Sequence, residues 1–407
     1  MTRRALLIAS GYYPLNTSGS HRPAKLAKYL PAFGWTPVVL CAEWSPDYGG
    51  VCYDPVLAAQ PDVCRTVRVP LTPRPPTKLG RAAELALRIL FPYRVPADMV
   101  RRAMAAAERL IAEAPFDVLW STCWPGWTHH VAGQIARRHG IPWVADFRDL
   151  PDQDFSPWLL RYTVWQERRV CRAASGLTTV SEPLAEHLRS RHRAAVQVIT
   201  NGYDPSDYPG PPAASFPTFN VVYTGILSAA RDPGPLFTAV DRLLEAGAVG
   251  PGDVRIEFYG AHPSTMEVRL SGHRCRPIVR CVPRVSHAEA IRIQQQASVL
   301  LLLSERQPGV MTAKIFEYLG ARRPILDVPG GDVTREVLRA TRAGVSAGDP
   351  AEIARILDRW YREWKRTGRV AWTGDPDKVA RYSRRGQAGQ FAQIFDSLRR
   401  SRVQPKT

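Results

Sequence analysis

The feature that most limits what this chain can fold into is a rhythm. Short apolar runs alternate with helical segments, first from the N-terminus to about residue 200 and again from about residue 220. Runs such as Ala5–Ala9 and Val299–Leu303 are too short for helices and show no polar alternation, so they read as strands covered on both faces. Strands of that kind joined by helical crossovers build parallel sheets with helices on both faces, here in two successive halves.

In the first half the pattern predicts strands at Ala5–Ala9, Thr36–Ala42, Arg65–Val69, Phe116–Ser121, Pro142–Ala145, Leu177–Val180 and Val196–Ile199. A loop containing Gly11, Pro14, Gly19 and Ser20 follows the first strand, and a helix over Lys25–Phe33 is stopped by Gly34. The stretch from Asn201 to Phe219 holds five prolines and two glycines with no periodicity, which reads as a linker. The second half restarts the alternation, with strands at Val221–Thr224, Val254–Tyr259, Ile278–Val282, Ser298–Leu303, Pro324–Val328 and Gly344–Ala347. Two long helices, Ala351–Arg366 and Pro376–Arg399, close the chain. The expected organisation is a domain over 1–200, a linker over 201–219, a second domain over 220–375, and a C-terminal helix with a basic tail over 376–407.

Lys and Arg number 55 against 37 Asp and Glu, a formal net charge of +18. That balance suits anionic partners: a nucleic acid, an acidic membrane surface or a phosphorylated small molecule. The basic residues are scattered and not interleaved with aromatics, which argues against nucleic acid. Seven cysteines without a C-x-x-C pair read as free thiols in a reducing cytoplasm. The first apolar run is too short for a signal peptide, and no run approaches the roughly 18 residues needed to span a bilayer, so any membrane contact would be peripheral.

Several chemistries lack their signatures. There is no G-x-G-x-x-G after the first strand, no G-x-x-x-x-G-K-[ST] and no G-x-S-x-G. Asp152/Asp154 and Asp375/Asp377 each place carboxylates one residue apart, a spacing that arises by chance, and no metal site is assigned to them. The most informative segment runs from Gly309 to Leu326. It reads as a loop entering a short helix, whose N-terminus offers backbone N–H groups and a partial positive charge to an anion. Thr312 is placed to cap that helix. Lys314 lies in its first turn, where a cation is unfavourable unless an anion arrives. Glu317 follows one turn on, and a carboxylate accepts two hydrogen bonds at once, as a ribose diol would offer. The same two residues also read as a Lys–Glu pair on the surface of an amphipathic helix.

Four segments together resemble the retaining, nucleotide-sugar-dependent family 4 glycosyltransferases. They are Gly11-Tyr-Tyr-Pro with Ser18-Gly-Ser-His-Arg; Trp143-Val-Ala-Asp-Phe-Arg-Asp; Thr178-Thr-Val-Ser-Glu-Pro-Leu with Ile199-Thr-Asn-Gly-Tyr-Asp; and Tyr223-Thr-Gly, Arg231-Asp-Pro and Lys314-Ile-Phe-Glu-Tyr-Leu. The resemblance implies an α/β chain of the GT-B fold: two doubly wound Rossmann-like domains facing across a cleft, an acceptor side over 1–200 and a donor side over 220–375, with the C-terminal helices packing back. It implies a bacterial enzyme of polysaccharide or glycoconjugate biosynthesis. Its co-substrate would be a nucleoside diphosphate sugar, a UDP- or GDP-sugar. Its acceptor would be a hydroxyl on a glycan, lipid-linked or natural-product precursor. Neither a separate cofactor nor a metal ion is expected, because fixed cations neutralise the diphosphate.

The resemblance also implies roles. Glu317 matches the carboxylate that holds the nucleotide ribose, and Arg231 the cation on the diphosphate. Lys314 supplies a second charge, with the main chain of Val310, Met311 and Thr312 beside it. Gly309 stands where the family carries a further glutamate. His130, rather than His129, matches the histidine near the reacting sugar. Gly19, Ser20 and Arg22 would form a loop over the diphosphate, and Arg148 and Asp149 would either bind acceptor or buttress the site. Two other readings share the architecture: a non-hydrolysing nucleotide-sugar epimerase, and a non-catalytic nucleotide-sugar-binding subunit.

Overall fold

The computed structural model describes residues 3–49, 52–71, 77–90, 97–122, 126–148, 157–210, 216–228, 230–304 and 312–403. The chain divides into two compact units: Met1–Asn201 together with Arg384–Thr407, and Gly202–Ser383.

The first unit is built on strands β1 (Arg3–Ala9), β2 (Trp35–Glu43), β3 (Thr66–Pro70), β4 (Val118–Thr122), β5 (Trp143–Phe147), β6 (Gly176–Thr179) and β7 (Val196–Val198). All pair in parallel in the order β3-β2-β1-β4-β5-β6-β7. The order reverses between β1 and β4, and in doubly wound sheets ligands gather at the carboxyl ends of the strands there. Ala5 through Ala9 are wholly buried because both faces of β1 are covered. Leu6 and Ile8 join a core with Ala103, Leu110 and Val131 from the helices Ala97–Glu113 and Trp127–His139. Ala5 and Leu7 point the other way, toward Leu26, Phe391 and Phe395. The final helix, Arg384–Val403, therefore closes one face of the first sheet. Phe395 meets Trp35 edge-on at 5.4 Å, and Asp396 pairs with Arg3 at 2.5 Å.

The second unit carries β8 (Phe219–Thr224), β9 (Val254–Tyr259), β10 (Val279–Val282), β11 (Val299–Leu303), β12 (Ile325–Val328) and β13 (Gly344–Ser346). Its parallel order is β10-β9-β8-β11-β12-β13, with the reversal between β8 and β11. All five residues of β11 are buried.

Three expectations are corrected. The first helix starts at Ser18, not Lys25, and gives way at Leu30 to a short 3-10 turn ending at Phe33. Thr17 and Ser20 form a reciprocal capping box at its start, which offsets the cost of Gly19 and of Pro23 inside the helix. Gly19, Ser20 and Arg22 are thus helical rather than a loop. The closing segment is two helices, Pro376–Ala380 and Arg384–Val403, and the chain passes from one unit to the other in the break between them. Asp375 caps the first of these through the amides of Asp377 and Lys378, which accounts for that carboxylate pair. Residues 202–210, expected as linker, pack within the second unit: Tyr203 bridges Ser383, and Asp204 is buried and caps the turn Pro205–Asp207. Asp152 and Asp154 lie outside the described residues.

Candidate functional site

In the second unit the sites gather where β8 ends. The helix Lys314–Ala321 begins there with no side-chain cap: Ala313 occupies the cap position, so Thr312, half-buried, does not cap it as expected. Two of its first-turn amides, those of Ile315 and Phe316, donate to the carbonyls of Thr312 and Ala313 at 3.4 and 3.2 Å. Lys314 folds back so that its Nζ lies 3.0 Å from Glu317 Oε2. Its aliphatic stem runs against Gly225, where a Cβ would come within 3.1 Å of Lys314 Cε. Gly225 also has φ +140°, a conformation closed to most side chains, so the loop after β8 can approach the helix only as glycine.

Glu317 is held from several sides. Gln294 Nε2 reaches Glu317 Oε2 at 3.4 Å and Thr224 Oγ1 at 2.9 Å. Tyr208 donates its hydroxyl to the Glu317 carbonyl at 2.7 Å, and its ring lies so close to Gly320 that a Cβ there would stand 2.6 Å away. Burial pushes the Glu317 carboxyl upward, but Lys314, His287 and Gln294 outweigh that and hold it below the usual carboxylate range. His287 shifts the other way. Its hydrogen bond to Asp207, at 3.2 Å, raises its pKa against the effect of burial, and Glu317 adds to the rise. The result is an alternating cluster, Asp207–His287–Glu317–Lys314, opening beside the uncapped helix end. Arg231 sits on the same loop as Gly225, its Nη1 3.3 Å from the Ile226 carbonyl. Arg269 braces that loop by donating to the carbonyls of Arg231 and Ser228. Lys314 and Glu317 thus stand together at one helix terminus, and Arg231 lies on the loop that the Lys314 stem touches at Gly225. Val310 and Met311, and with them Gly309, lie outside the described residues.

Sequence reasoning missed His287, Gln294, Asp207 and Tyr208. A signal existed for two of them: His287 and Gln294 are seven apart on one helix, hence on one face, directly ahead of β11. Gln294 is fully buried, and its Oε1 has no hydrogen-bond partner among the described residues. An orphan acceptor there is a liability unless something donates to it. Asp327, also wholly buried, accepts from Ser304, Thr334 and Ser346, and so fixes Ser304 at the end of β11.

In the first unit the corresponding strand ends are organised by an ion pair. Arg22 contacts Asp146 through Nε at 2.9 Å and Nη2 at 2.7 Å, with both side chains essentially unexposed. Asp146 also accepts from Thr122 and Thr178, and Arg22 donates to the carbonyls of Ile199 and Thr200. This network ties β4, β5, β6 and the chain after β7 together, so Arg22 is structural. Ser20 is buried and its hydroxyl is spent on Thr17 and the Leu15 carbonyl, so it offers no side-chain contact to a ligand. Gly19 matters differently: a Cβ there would stand 2.5 Å from Arg148 Nη1. Arg148 therefore lies over the start of the first helix, with Nε 3.2 Å from Thr122 Oγ1. Asp149 is outside the described residues.

The two histidines of the helix Trp127–His139 separate cleanly. His129 is wholly buried between Trp143 and Phe147 and bonds Ser121 Oγ at 2.7 Å. Burial pulls its pKa down to about 3, so it stays neutral. His130 is half-buried in the first turn of the same helix, just after the carboxyl end of β4.

Comparison with known proteins bears on the domain and the fold. Residues 19–203 match the glycosyl transferase 4-like domain. No curated protein matches the chain by sequence. Among solved structures, a glycosyltransferase from Rickettsia africae superposes with a TM-score of 0.67 at 12% identity, covering 98% of each chain. HepE from Anabaena, in complex with UDP and glucose, gives 0.64 at 14% identity over 97% of this chain and 100% of its own. Sucrose-phosphate synthase from Thermosynechococcus elongatus gives 0.63 at 17% identity over 97% and 99%. At such identities the structural likeness establishes the two-sheet fold, and the domain match speaks for residues 19–203. The chain carries a glycosyl transferase 4-like domain over residues 19–203 and has the GT-B fold.

Proposed function

We propose that the protein is a retaining glycosyltransferase that moves a sugar from a UDP- or GDP-sugar to a hydroxyl acceptor. The observation that carries the donor assignment is the Lys314–Glu317 pair at a helix N-terminus that no side chain caps, beside Gly225. Glu317, kept ionised by its neighbours, accepts from both hydroxyls of a ribose. Lys314, Arg231, the positive end of the helix Lys314–Ala321 and the main chain of Val310, Met311 and Thr312 take the diphosphate. Charge-assisted contacts of this kind contribute roughly 1.5–3 kcal/mol each. That HepE has been captured with UDP, and separately with UDP-glucose, supports a nucleotide-sugar donor for this chain.

In the reaction the bond from the anomeric carbon to the diphosphate oxygen breaks, and a bond from the acceptor oxygen to that carbon forms. The acceptor's proton passes to an oxygen of the departing diphosphate, on the same face of the sugar, so the configuration is retained without a carboxylate nucleophile. The protein's part is positioning and stabilisation of the charge that grows on the leaving group. Arg231 and Lys314 supply that stabilisation as fixed cations, so turnover proceeds without a metal ion. His130 and the backbone at Gly19, with Arg148 over it, are the first unit's groups nearest in role to sugar and acceptor. A lipid-linked acceptor at the cytoplasmic face of a membrane suits the +18 charge.

The test is a thermal-shift screen of UDP, GDP, ADP and dTDP, followed by donor hydrolysis and transfer assays with the matching sugars. One nucleotide should raise the melting temperature, and its sugar should be turned over in the presence of EDTA with the anomeric configuration kept. If no nucleotide shifts the transition, the donor assignment is wrong; if the product is inverted, the same-face route is wrong.

A further inference from the structure

The first unit holds a second feature that donor chemistry does not use. A cavity of about 750 Å³ is lined by Arg168, Arg172, Arg189, Arg191 and Arg193, with His192 among them. It lies where the helices Pro157–Cys171 and Glu182–Arg191 end and where the chain enters β6 and β7. These are the amino ends of the strands, the edge of the sheet opposite Asp146, Thr122 and Arg148.

The charges there do not cancel. Among the described residues no acidic side chain lines the cavity. Arg189 pairs with Glu182, and Arg191 stands 3.8 Å from Glu167, which is buried and also bonds His192 at 2.8 Å. Arg168 donates to the Arg191 carbonyl at 2.9 Å. Among the described residues Arg172 and Arg193 make neither an ion pair nor a hydrogen bond, and both are exposed. Among the described residues five guanidiniums thus face two carboxylates, an excess of three positive charges. Arginines do collect at helix C-termini to offset the macrodipole. Two termini supply only about half a negative charge each, roughly one in all, which leaves most of the excess unmatched. Guanidinium groups crowded around one space repel each other and are strongly preorganised for tetrahedral oxyanions, which they bind in bidentate fashion. A cavity of this size accommodates two or more such groups.

We propose that this arginine cavity is a binding site for a ligand bearing two or more phosphate groups, separate from the nucleotide-sugar site. The phosphates come from either a lipid headgroup or a free phosphorylated molecule. The site anchors that ligand at the far edge of the first sheet, where it takes no part in bond making.

Two arms distinguish the sources. In one, sodium tripolyphosphate is titrated into the full chain by calorimetry at about 0.1 M salt. In the other, the chain is sedimented with phosphatidylcholine vesicles carrying, or lacking, phosphatidylglycerol and cardiolipin. Each arm is run on wild type, on Arg172→Gln/Arg193→Gln, on Arg355→Gln/Arg359→Gln as a variant losing equal charge elsewhere, and on Arg231→Gln. Loss of binding by tenfold or more in the first variant, with Arg355→Gln/Arg359→Gln near wild type, establishes the site. The arm in which it appears names the source. Equal binding by all four proteins, no binding in either arm, or loss that follows total charge alone overturns the proposal. Loss confined to Arg231→Gln also overturns it, while leaving the donor site standing. Binding that survives in Arg231→Gln stands even if no nucleotide sugar is ever turned over.

Discussion

Replacing Glu317 by glutamine tests the donor reading most directly. The substitution keeps shape and one acceptor oxygen but removes the charge and the second acceptor. If both carboxylate oxygens hold a ribose diol, one charge-assisted hydrogen bond is lost, roughly 1.5–3 kcal/mol. At 1.36 kcal/mol per decade that is about a 10- to 150-fold weaker affinity for the nucleotide. Affinity loss alone would not locate the contact, because Lys314, 3.0 Å away, and His287 lose their counter-charge as well. The ligand is therefore varied too. Calorimetry on wild type and Glu317→Gln with a nucleoside diphosphate and its 2′,3′-dideoxy analogue forms a double cycle. If Glu317 grips the diol, removing the hydroxyls costs wild type dearly and the variant little, and the coupling is of the order of 1.5 kcal/mol or more. Additive losses, with the dideoxy ligand weakened equally in both proteins, would refute the contact. A lost signal in a variant whose melting temperature has collapsed would be traced by a thermal scan of the unliganded protein.

Arg22→Met should lower stability by about 3–5 kcal/mol, since it leaves Asp146 charged and buried without its partner; the urea midpoint checks this, and an unchanged midpoint contradicts the network described. Gly19→Ala forces Arg148 aside, because the new methyl would stand 2.5 Å from its Nη1, and transfer activity should fall while Gly247→Ala, which meets nothing, is compared for its backbone strain alone. For pH, the His287 pKa is raised in the folded state, so its protonated form stabilises the fold below about 6.5 and that contribution is lost as pH rises through the folded value. The melting-temperature gap between wild type and Asp207→Asn should therefore shrink from pH 5.5 to pH 9; a gap that widens would reverse the assigned partner.

How much of this was legible beforehand depends on where each residue's environment came from. Local pattern sufficed for β9 and for the helix His287–Gln296, whose bounds match the apolar periodicity, and for β11, where an unbroken run of valine and leucines has only a doubly covered strand to occupy. Local pattern misled at the first helix, because glycine, serine and proline within 18–23 look like a loop, while the Thr17–Ser20 reciprocal cap that licenses the helix was overlooked. The break after Ala380 carries no proline or glycine in Arg381–Ser383; it is set by where the chain changes unit, which is a tertiary fact. The Lys314–Glu317 pair was readable because three residues separate it on one helix. Its supports were not, since Tyr208 and Gln294 arrive from 109 and 23 residues away.

Both chain ends belong to the first unit, and the second is inserted between them. A ribosome emitting this chain finishes all seven strands of the first sheet before residue 200, yet the helix carrying Phe391 and Phe395 emerges only after the whole second unit. Until then the face bearing Ala5 and Leu7 lacks part of its cover, whereas the second unit is one contiguous stretch from Gly202 to Ser383. The inserted unit can mature first during synthesis, and a nascent chain stalled or clipped before residue 384 would leave the N-terminal sheet sticky and open to chaperones.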